Sequence, residues 1–90
     1  MAMKTMKEKE TLYLQEKAKN PEMFLLFKVG DRYEVYGEES EKVAAKLGYR
    51  PFEWGGVKYI AFGKPTLDIL NDFLQHEAVL HGFRVIDTNE

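Results

Sequence analysis

The sequence predicts a single α+β (mixed α/β) domain in which helices pack on one mixed β-sheet. Three observations support this fold class. The chain has 90 residues, the length of one domain. It is 44% hydrophobic and 13% aromatic, which suits a packed core. Its apolar residues alternate between strand-like and helix-like spacing, in the order α-β-β-α-β-α-β. We expect residues 1–90 to form this one domain, with residues 1–6 flexible.

The first half of the chain predicts a helix followed by a β-hairpin. Residues 7–19 have helical spacing, and the helix ends at Asn20-Pro21 because a residue before proline disfavours the helical conformation. The apolar run at residues 23–29 predicts a central strand covered on both faces. Gly30-Asp31 predicts a two-residue turn, and residues 32–36 predict the returning strand.

The second half alternates helices with strands. Val43, Ala44 and Leu47 form one apolar stripe of a helix over residues 38–47, and Gly48 suits its left-handed cap. The remaining elements are a loop at 49–55, a strand at 57–62, one helix from residue 65 or 66 to about 80, and a strand at 83–87. The residues expected to be largely buried are Leu25, Phe27, Val35, Leu47, Tyr59, Leu70 and Phe73.

Composition excludes several classes of protein. The chain has no cysteine, so it has neither disulfides nor a thiolate metal site. No apolar run is long enough to span a membrane, and the first residues lack the apolar core of an export signal, so we expect a cytoplasmic protein. The net charge is -2, without the basic stripe of a dedicated DNA-backbone binder. The start at Met1 and the polar ends favour a free-standing protein over an excised piece.

The sequence contains no recognisable catalytic machinery. Ser40 is best explained as a hydroxyl at a helix start. Asp68, Asp72 and His76 share a helical face, but a solvated stripe explains them better than a metal site. His81 falls on a different face, and no phosphate-binding G-x-x-x-x-G-K-[ST] loop is present. We therefore expect no enzyme activity, no metal, no cofactor and no small-molecule substrate.

The second hairpin strand carries the most informative pattern. Because strand side chains alternate, Arg32, Glu34 and Tyr36 point to one face, and we expect that face to be a half-polar surface. An Arg beside a Glu is often a simple surface ion pair. Alternatively, the guanidinium stacks on a nucleobase and the carboxylate accepts a hydrogen bond from a base edge. The pattern alone leaves both interpretations open.

Residues 13–48 resemble the amino-terminal, mismatch-sensing domain of the MutS family of DNA mismatch repair proteins. That domain has a helix ending in Pro, a hydrophobic strand and a G-D-F-Y-E-x-[FY] hairpin, matched here by Pro21, Phe24–Phe27 and Gly30–Tyr36. Further along, Gly56–Ala61 is similar to the family's G-[IV]-P-Y-H-A. The resemblance extends over about residues 11–88 and implies the fold of MutS domain I.

The resemblance also implies roles for individual residues. In the family, the Phe of the Phe-x-Glu motif stacks on a mispaired base and the Glu bonds that base. Glu34 matches the Glu, whereas Arg32 stands at the Phe position. Lys58 stands where the family has the Pro of Pro-Tyr-His. The DNA-contacting residues expected from pattern and resemblance together are Arg32, Glu34, Tyr36 and Lys58.

Two functions follow as expectations. One is a DNA-contact module for DNA repair that binds mismatched or distorted duplex weakly, alone or with a partner protein that supplies the ATPase or clamp. Its basic candidates are Lys4, Lys7, Lys9, Arg32 and Lys58. The other is a protein-interaction or regulatory module that keeps the fold without mismatch recognition. Glu34 and the lysine-rich start favour the first function, whereas Arg32 and the net charge of -2 favour the second.

Overall fold

A computed structural model describes residues 5–88 as a five-stranded sheet with helices on both faces. Along the chain the elements are α1 (Met6–Lys19), β1 (Phe24–Val29), β2 (Arg32–Tyr36), α2 (Gly37–Leu47), β3 (Phe52–Trp54), β4 (Val57–Gly63), α3 (Lys64–Ile69), α4 (Asn71–His81) and β5 (Phe83–Asp87). The strand order is β3-β4-β2-β1-β5, with β1 and β5 parallel and the other neighbours antiparallel. The predicted mixed sheet with interspersed helices is confirmed.

The hairpin at the centre of the sheet forms as the sequence predicts. Val29 pairs with Arg32, so only Gly30 and Asp31 connect the strands. Gly30 has φ +62°, a conformation that glycine adopts without steric cost. Both hairpin strands have neighbours on their outer sides, β5 beside β1 and β4 beside β2.

Each face of the sheet has its own hydrophobic core. Phe24, Leu26 and Val35 project towards α2, α3 and α4, where they join Val43 and Leu70. On the opposite face, the core consists of Leu25, Phe27, Val29, Tyr36 and Ile86, and α1 covers it with Leu12 and Tyr13. The Tyr13 ring contacts the rings of Phe27 and Tyr36 at centroid distances of 6.3 and 5.6 Å.

Two predicted elements differ from the structure. The expected loop at 49–55 contains the short strand β3, which pairs with the first residues of β4. The single helix expected from residue 65 or 66 to about 80 is divided at Leu70, whose φ of -82° and ψ of 0° end α3. The division lets α3 pack against β4 and β2 while α4 packs against β1 and β5, and it places Leu70 in the core.

The burial predictions are confirmed in part. Leu25, Phe27, Val35 and Leu70 are buried. Leu47, Tyr59 and Phe73 are only half-buried, because they pack against the margins of the two cores. Among residues 5–88, no helix is both long and apolar enough to cross a membrane.

Candidate nucleic-acid interface

Glu34, which matches the base-contacting glutamate of the MutS resemblance, lies beneath α1. It is 2% exposed. The Lys9 ammonium, which is 7% exposed, donates to Glu34 Oε2 at 3.1 Å. Lys9 belongs to the first turns of α1, so the amino-terminal end of this helix covers the carboxylate. In this conformation, Glu34 is not accessible to a DNA base.

Tyr36 is buried on the same face and donates a hydrogen bond from its hydroxyl to Glu34 Oε1. The two carboxylate oxygens of Glu34 therefore both have partners, Lys9 on one and Tyr36 on the other. The expectation that Glu34 and Tyr36 belong to a half-polar surface is wrong. Helix α1 docks on this face and turns them into buried polar groups that satisfy one another.

Arg32 is the one member of this face that remains exposed, with 51% of its side chain accessible. It stands at the start of β2, directly after the Gly30-Asp31 turn, and therefore at the tip of the hairpin. Its Nη2 lies 3.7 Å from Glu34 Oε2, so the buried carboxylate holds one side of the guanidinium. The rest of the guanidinium is left to solvent or to a ligand.

Lys58 does not join the other three predicted DNA contacts. The β2–β4 pairing places Arg32 opposite Gly63 and Tyr36 opposite Tyr59, so Lys58 lies beyond the far end of β2. It also belongs to the opposite face of the sheet, because strand side chains alternate. Lys58 donates to Glu41 at 2.7 Å, and this exposed hydrogen bond, together with the negative charge of Glu41, raises the Lys58 pKa.

The lysine-rich start of the chain supplies less free positive charge than its composition suggests. Lys4 lies outside the described residues. Lys7 is exposed on the first turn of α1, near the cap that Thr5 and Glu8 form together. Lys9, predicted as a phosphate contact, is instead neutralised by Glu34 inside the fold. The prediction that Lys9 lies on an accessible basic patch is therefore wrong.

Helix α1 contacts the sheet and α2 partly through a polar stripe, which hydrophobic spacing does not reveal. Lys9, Tyr13 and Lys17 are spaced i, i+4 and i+8, and all three face the sheet or α2. Lys17 donates to Glu39 and, at 2.9 Å, to the carbonyl of Met23. Burial of Tyr13, reinforced by the negative charge of Glu39, raises its pKa to about 12. The i, i+4, i+8 spacing was the one signal available in the sequence.

The acidic stripe predicted in the carboxy-terminal half is divided between two helices on the face of the sheet opposite Glu34. Asp68 belongs to α3 and accepts a hydrogen bond from Lys64 at 2.7 Å, whereas Asp72 and His76 belong to α4, beyond the division at Leu70. Within residues 5–88, no group of three His, Asp or Glu side chains is arranged to hold a metal ion.

The fold and this site define a small mixed α/β domain whose central hairpin presents an arginine backed by a buried carboxylate. The sequence model of MutS domain I matches residues 8–66 of the 90-residue chain. The chain therefore belongs to the MutS domain I family. The match runs from α1 to the start of α3. A comparison with curated proteins returned no significant match.

Proposed function

We propose that this domain contacts duplex DNA through the tip of its β1–β2 hairpin and responds to mispaired or otherwise distorted base pairs. The observation that carries the proposal is the exposed Arg32 guanidinium at the hairpin tip, held on one side by Glu34 at 3.7 Å. Membership of the MutS domain I family supports DNA as the partner.

Arg32 has the chemistry that such a contact requires. A guanidinium inserts into a narrow minor groove, where the negative potential is enhanced, and its planar face stacks on an unstacked base. Distorted base pairs cost less to open than matched ones, which favours binding at a mispair. Because Glu34 is buried and already paired, its proposed role is to orient Arg32 rather than to bond a base. The proposed role of Tyr36 is to fix Glu34.

Lys58 contributes at most a separate phosphate contact in this proposal, since it lies at the far end of the sheet and is paired with Glu41. The free domain has a net charge of -2, which limits its affinity for DNA. We therefore propose that a protein partner supplies the clamp or ATPase function in DNA repair and delivers this hairpin to the duplex.

The decisive experiment is a fluorescence anisotropy titration of a matched duplex and a duplex with one G·T mispair at low salt. We expect the wild-type domain to bind the mispaired duplex more tightly. Arg32→Ala should weaken binding to the mispaired duplex by about fivefold, the loss of about one good contact, and affect the matched duplex less. Arg32→Phe introduces the aromatic residue of the family motif and should retain the preference.

Arg84→Ala is the matched control. Arg84 is also exposed and also lies near the start of a strand, β5, but it pairs with Leu25 at the end of β1 away from the hairpin tip. It should leave both affinities unchanged. Equal losses for Arg84→Ala and Arg32→Ala would mean that binding depends on charge alone, and the hairpin proposal would be wrong.

The alternative is a protein-interaction or regulatory module that keeps the fold without mismatch recognition. The burial of Glu34 and Tyr36 favours it, because these residues support the packing of α1 instead of facing a ligand. If neither the wild type nor Arg32→Phe binds either duplex while both remain folded, this alternative is the better explanation.

A further inference from the structure

A second surface of the domain, at the β3 edge of the sheet, exposes two aromatic rings beside an arginine. Tyr49 is 65% and Phe52 62% exposed, although phenylalanine is among the residues most often buried. They line one cavity of about 450 Å³ together with Arg50, Ile60 and Ala61. Neither ring takes part in the contacts of α1 or the hairpin tip described above.

The backbone carrying each ring is fixed. The N–H of Tyr49 bonds to the carbonyl of Ala44 at 2.8 Å across the left-handed Gly48, a Schellman-type end of α2. Phe52 pairs with Tyr59 across β3 and β4, and its ring rests on the Tyr59 ring at a centroid distance of 5.6 Å. The Phe52 ring is therefore partly pre-positioned for a ligand, and the main chain at Tyr49 is fixed, so that only the Tyr49 side chain has to be ordered on binding.

The floor of the cavity is an open strand edge. β3 pairs only with Val57 to Tyr59, whereas β4 continues to Gly63. Within residues 5–88, no strand therefore covers the outer edge of β4 at Ile60 and Ala61. Alternate residues of a strand direct their N–H and C=O groups to opposite sides, so one of these two residues presents a main-chain donor and acceptor to the cavity.

We infer that this cavity binds an unstacked nucleobase, with Tyr49 and Phe52 as stacking partners and Arg50 on the adjoining phosphate. Of the described residues that line the cavity, Arg50 alone is charged, which complements an anionic ligand. Aromatic rings beside cationic side chains are the usual means of binding single-stranded nucleic acid, and the open strand edge offers hydrogen bonds to a base. The inference rests on the proposed function in taking nucleic acid as the partner.

The test is an NMR titration of the full chain with a single-stranded oligothymidylate of about eight nucleotides, the site size of one small module. We expect the ring resonances of Tyr49 and Phe52 to shift together along one binding curve. Tyr49→Ala and Phe52→Ala should each weaken binding by at least about fivefold, as expected for the loss of one stacking partner. Both side chains are mostly exposed, and circular dichroism of each variant checks that the fold is kept.

Arg50→Gln tests the phosphate contact separately. It should make the dependence of log K on log salt shallower by about 0.7, the value for one phosphate of a single strand. Leu80→Ala removes an exposed apolar side chain from α4 and is the matched control for loss of surface, with no expected effect on binding.

The outcomes distinguish this inference from the hairpin proposal. Arg32→Ala should leave oligothymidylate binding unchanged, because Arg32 does not line the cavity. If ring shifts are absent, or binding survives the loss of both rings, the inference is wrong, even if Arg32 governs duplex binding. If the rings respond to oligothymidylate but no variant affects duplex binding, the cavity is confirmed and the hairpin proposal fails. A surface used only by a protein partner would give no ring shifts and would overturn the inference.

Discussion

At the scale of single residues, the buried Lys9–Glu34 ion pair gives Glu34 a different role from the base contact that the sequence resemblance implies. A carboxylate that could contact a base is instead satisfied by an ammonium, a tyrosine hydroxyl and part of a guanidinium. Removing one partner of such a pair leaves a buried charge without compensation, which is costly even where the intact pair adds little net stability.

We therefore predict that Lys9→Met lowers the free energy of unfolding by about 3 kcal/mol, the usual cost of breaking a buried ion pair. Urea unfolding followed by circular dichroism measures this directly. Lys7→Met is the control. Lys7 is two residues before Lys9 on the same helix but is exposed, so its loss should change the free energy of unfolding by less than about 0.5 kcal/mol. Adding Glu34→Leu to Lys9→Met should recover much of the loss. Similar small effects for both lysine variants would contradict the structural role given to Lys9.

Tyr13 makes stability depend on pH in the alkaline range. Its folded-state pKa is raised from 10.0 to about 12, mainly by burial, so the folded protein keeps this proton when the unfolded chain has lost it. Stability from Tyr13 is therefore complete below about pH 10 and is lost as the pH rises towards about 12. Between about pH 10 and 12, the free energy of unfolding of the wild type should therefore fall relative to that of Tyr13→Phe, which has no proton to lose at this position. A difference that stays constant with pH would contradict the raised pKa.

At the scale of elements, the junction between β2 and α2 depends on a glycine that makes room for α1. Gly37 has φ +65°, and a Cβ atom built on it would stand 2.2 Å from the Tyr13 hydroxyl oxygen. Gly48, at the other end of α2, has φ +75°, but nothing lies within 4 Å of its Cβ position. The two glycines share the same backbone requirement and differ in their surroundings.

We predict that Gly48→Ala costs about 1 kcal/mol, the strain of a left-handed alanine, and that Gly37→Ala costs more because α1 must also move. Thermal and urea unfolding of the two variants make the comparison. Combining Gly37→Ala with Tyr13→Phe removes the hydroxyl that clashes and should restore part of the difference. Equal costs at the two glycines would show that α1 does not pack tightly on this junction.

The sequence predicts those elements whose signals are local. The two-residue hairpin turn and the left-handed cap at Gly48 follow from residue types at fixed positions, and both are confirmed. Strand β3 has only three residues, too few for alternation to show. The division at Leu70 has no local signal, since it arises because the two helical segments pack on different strands.

The candidate site was predictable only in part for a related reason. Arg32 at an exposed hairpin tip follows from strand alternation and the turn. The burial of Glu34 depends on α1, whose inward side carries Lys9 and Lys17 beside Leu12 and Tyr13 rather than a continuous apolar stripe. Hydrophobic periodicity marks a docking face only where that face is apolar. The position of a helix that docks through ion pairs therefore depends on tertiary contacts that hydrophobic periodicity does not reveal. For this reason the face of the sheet that α1 covers was expected to be exposed.

At the scale of the whole molecule, the distribution of charge sets the limit on DNA binding. Lys9, Lys17 and Lys58 are each paired with a glutamate, which leaves Arg32, Lys7 and Arg50 among the exposed cations. Arg32 and Arg50 belong to different surfaces, the hairpin tip and the β3 edge. A short duplex placed on the hairpin tip would therefore meet few of these cations at once, which limits the affinity of the isolated domain for DNA.

We predict that the isolated domain binds duplex DNA with a dissociation constant on the order of 10 µM or weaker at physiological salt, in the range of non-specific binding. Because each phosphate contact releases about one counterion, two to four contacts give a slope of log K against log salt of roughly -2 to -4. Anisotropy titrations over a series of salt concentrations measure both quantities. Lys9→Met should leave the slope unchanged, because Lys9 is already neutralised inside the fold, whereas Lys7→Met should make it shallower by about 0.9 if that lysine lies on the DNA. A slope much steeper than -4, or one that depends on Lys9, would mean that α1 leaves the sheet when DNA binds and that Glu34 becomes exposed in the complex.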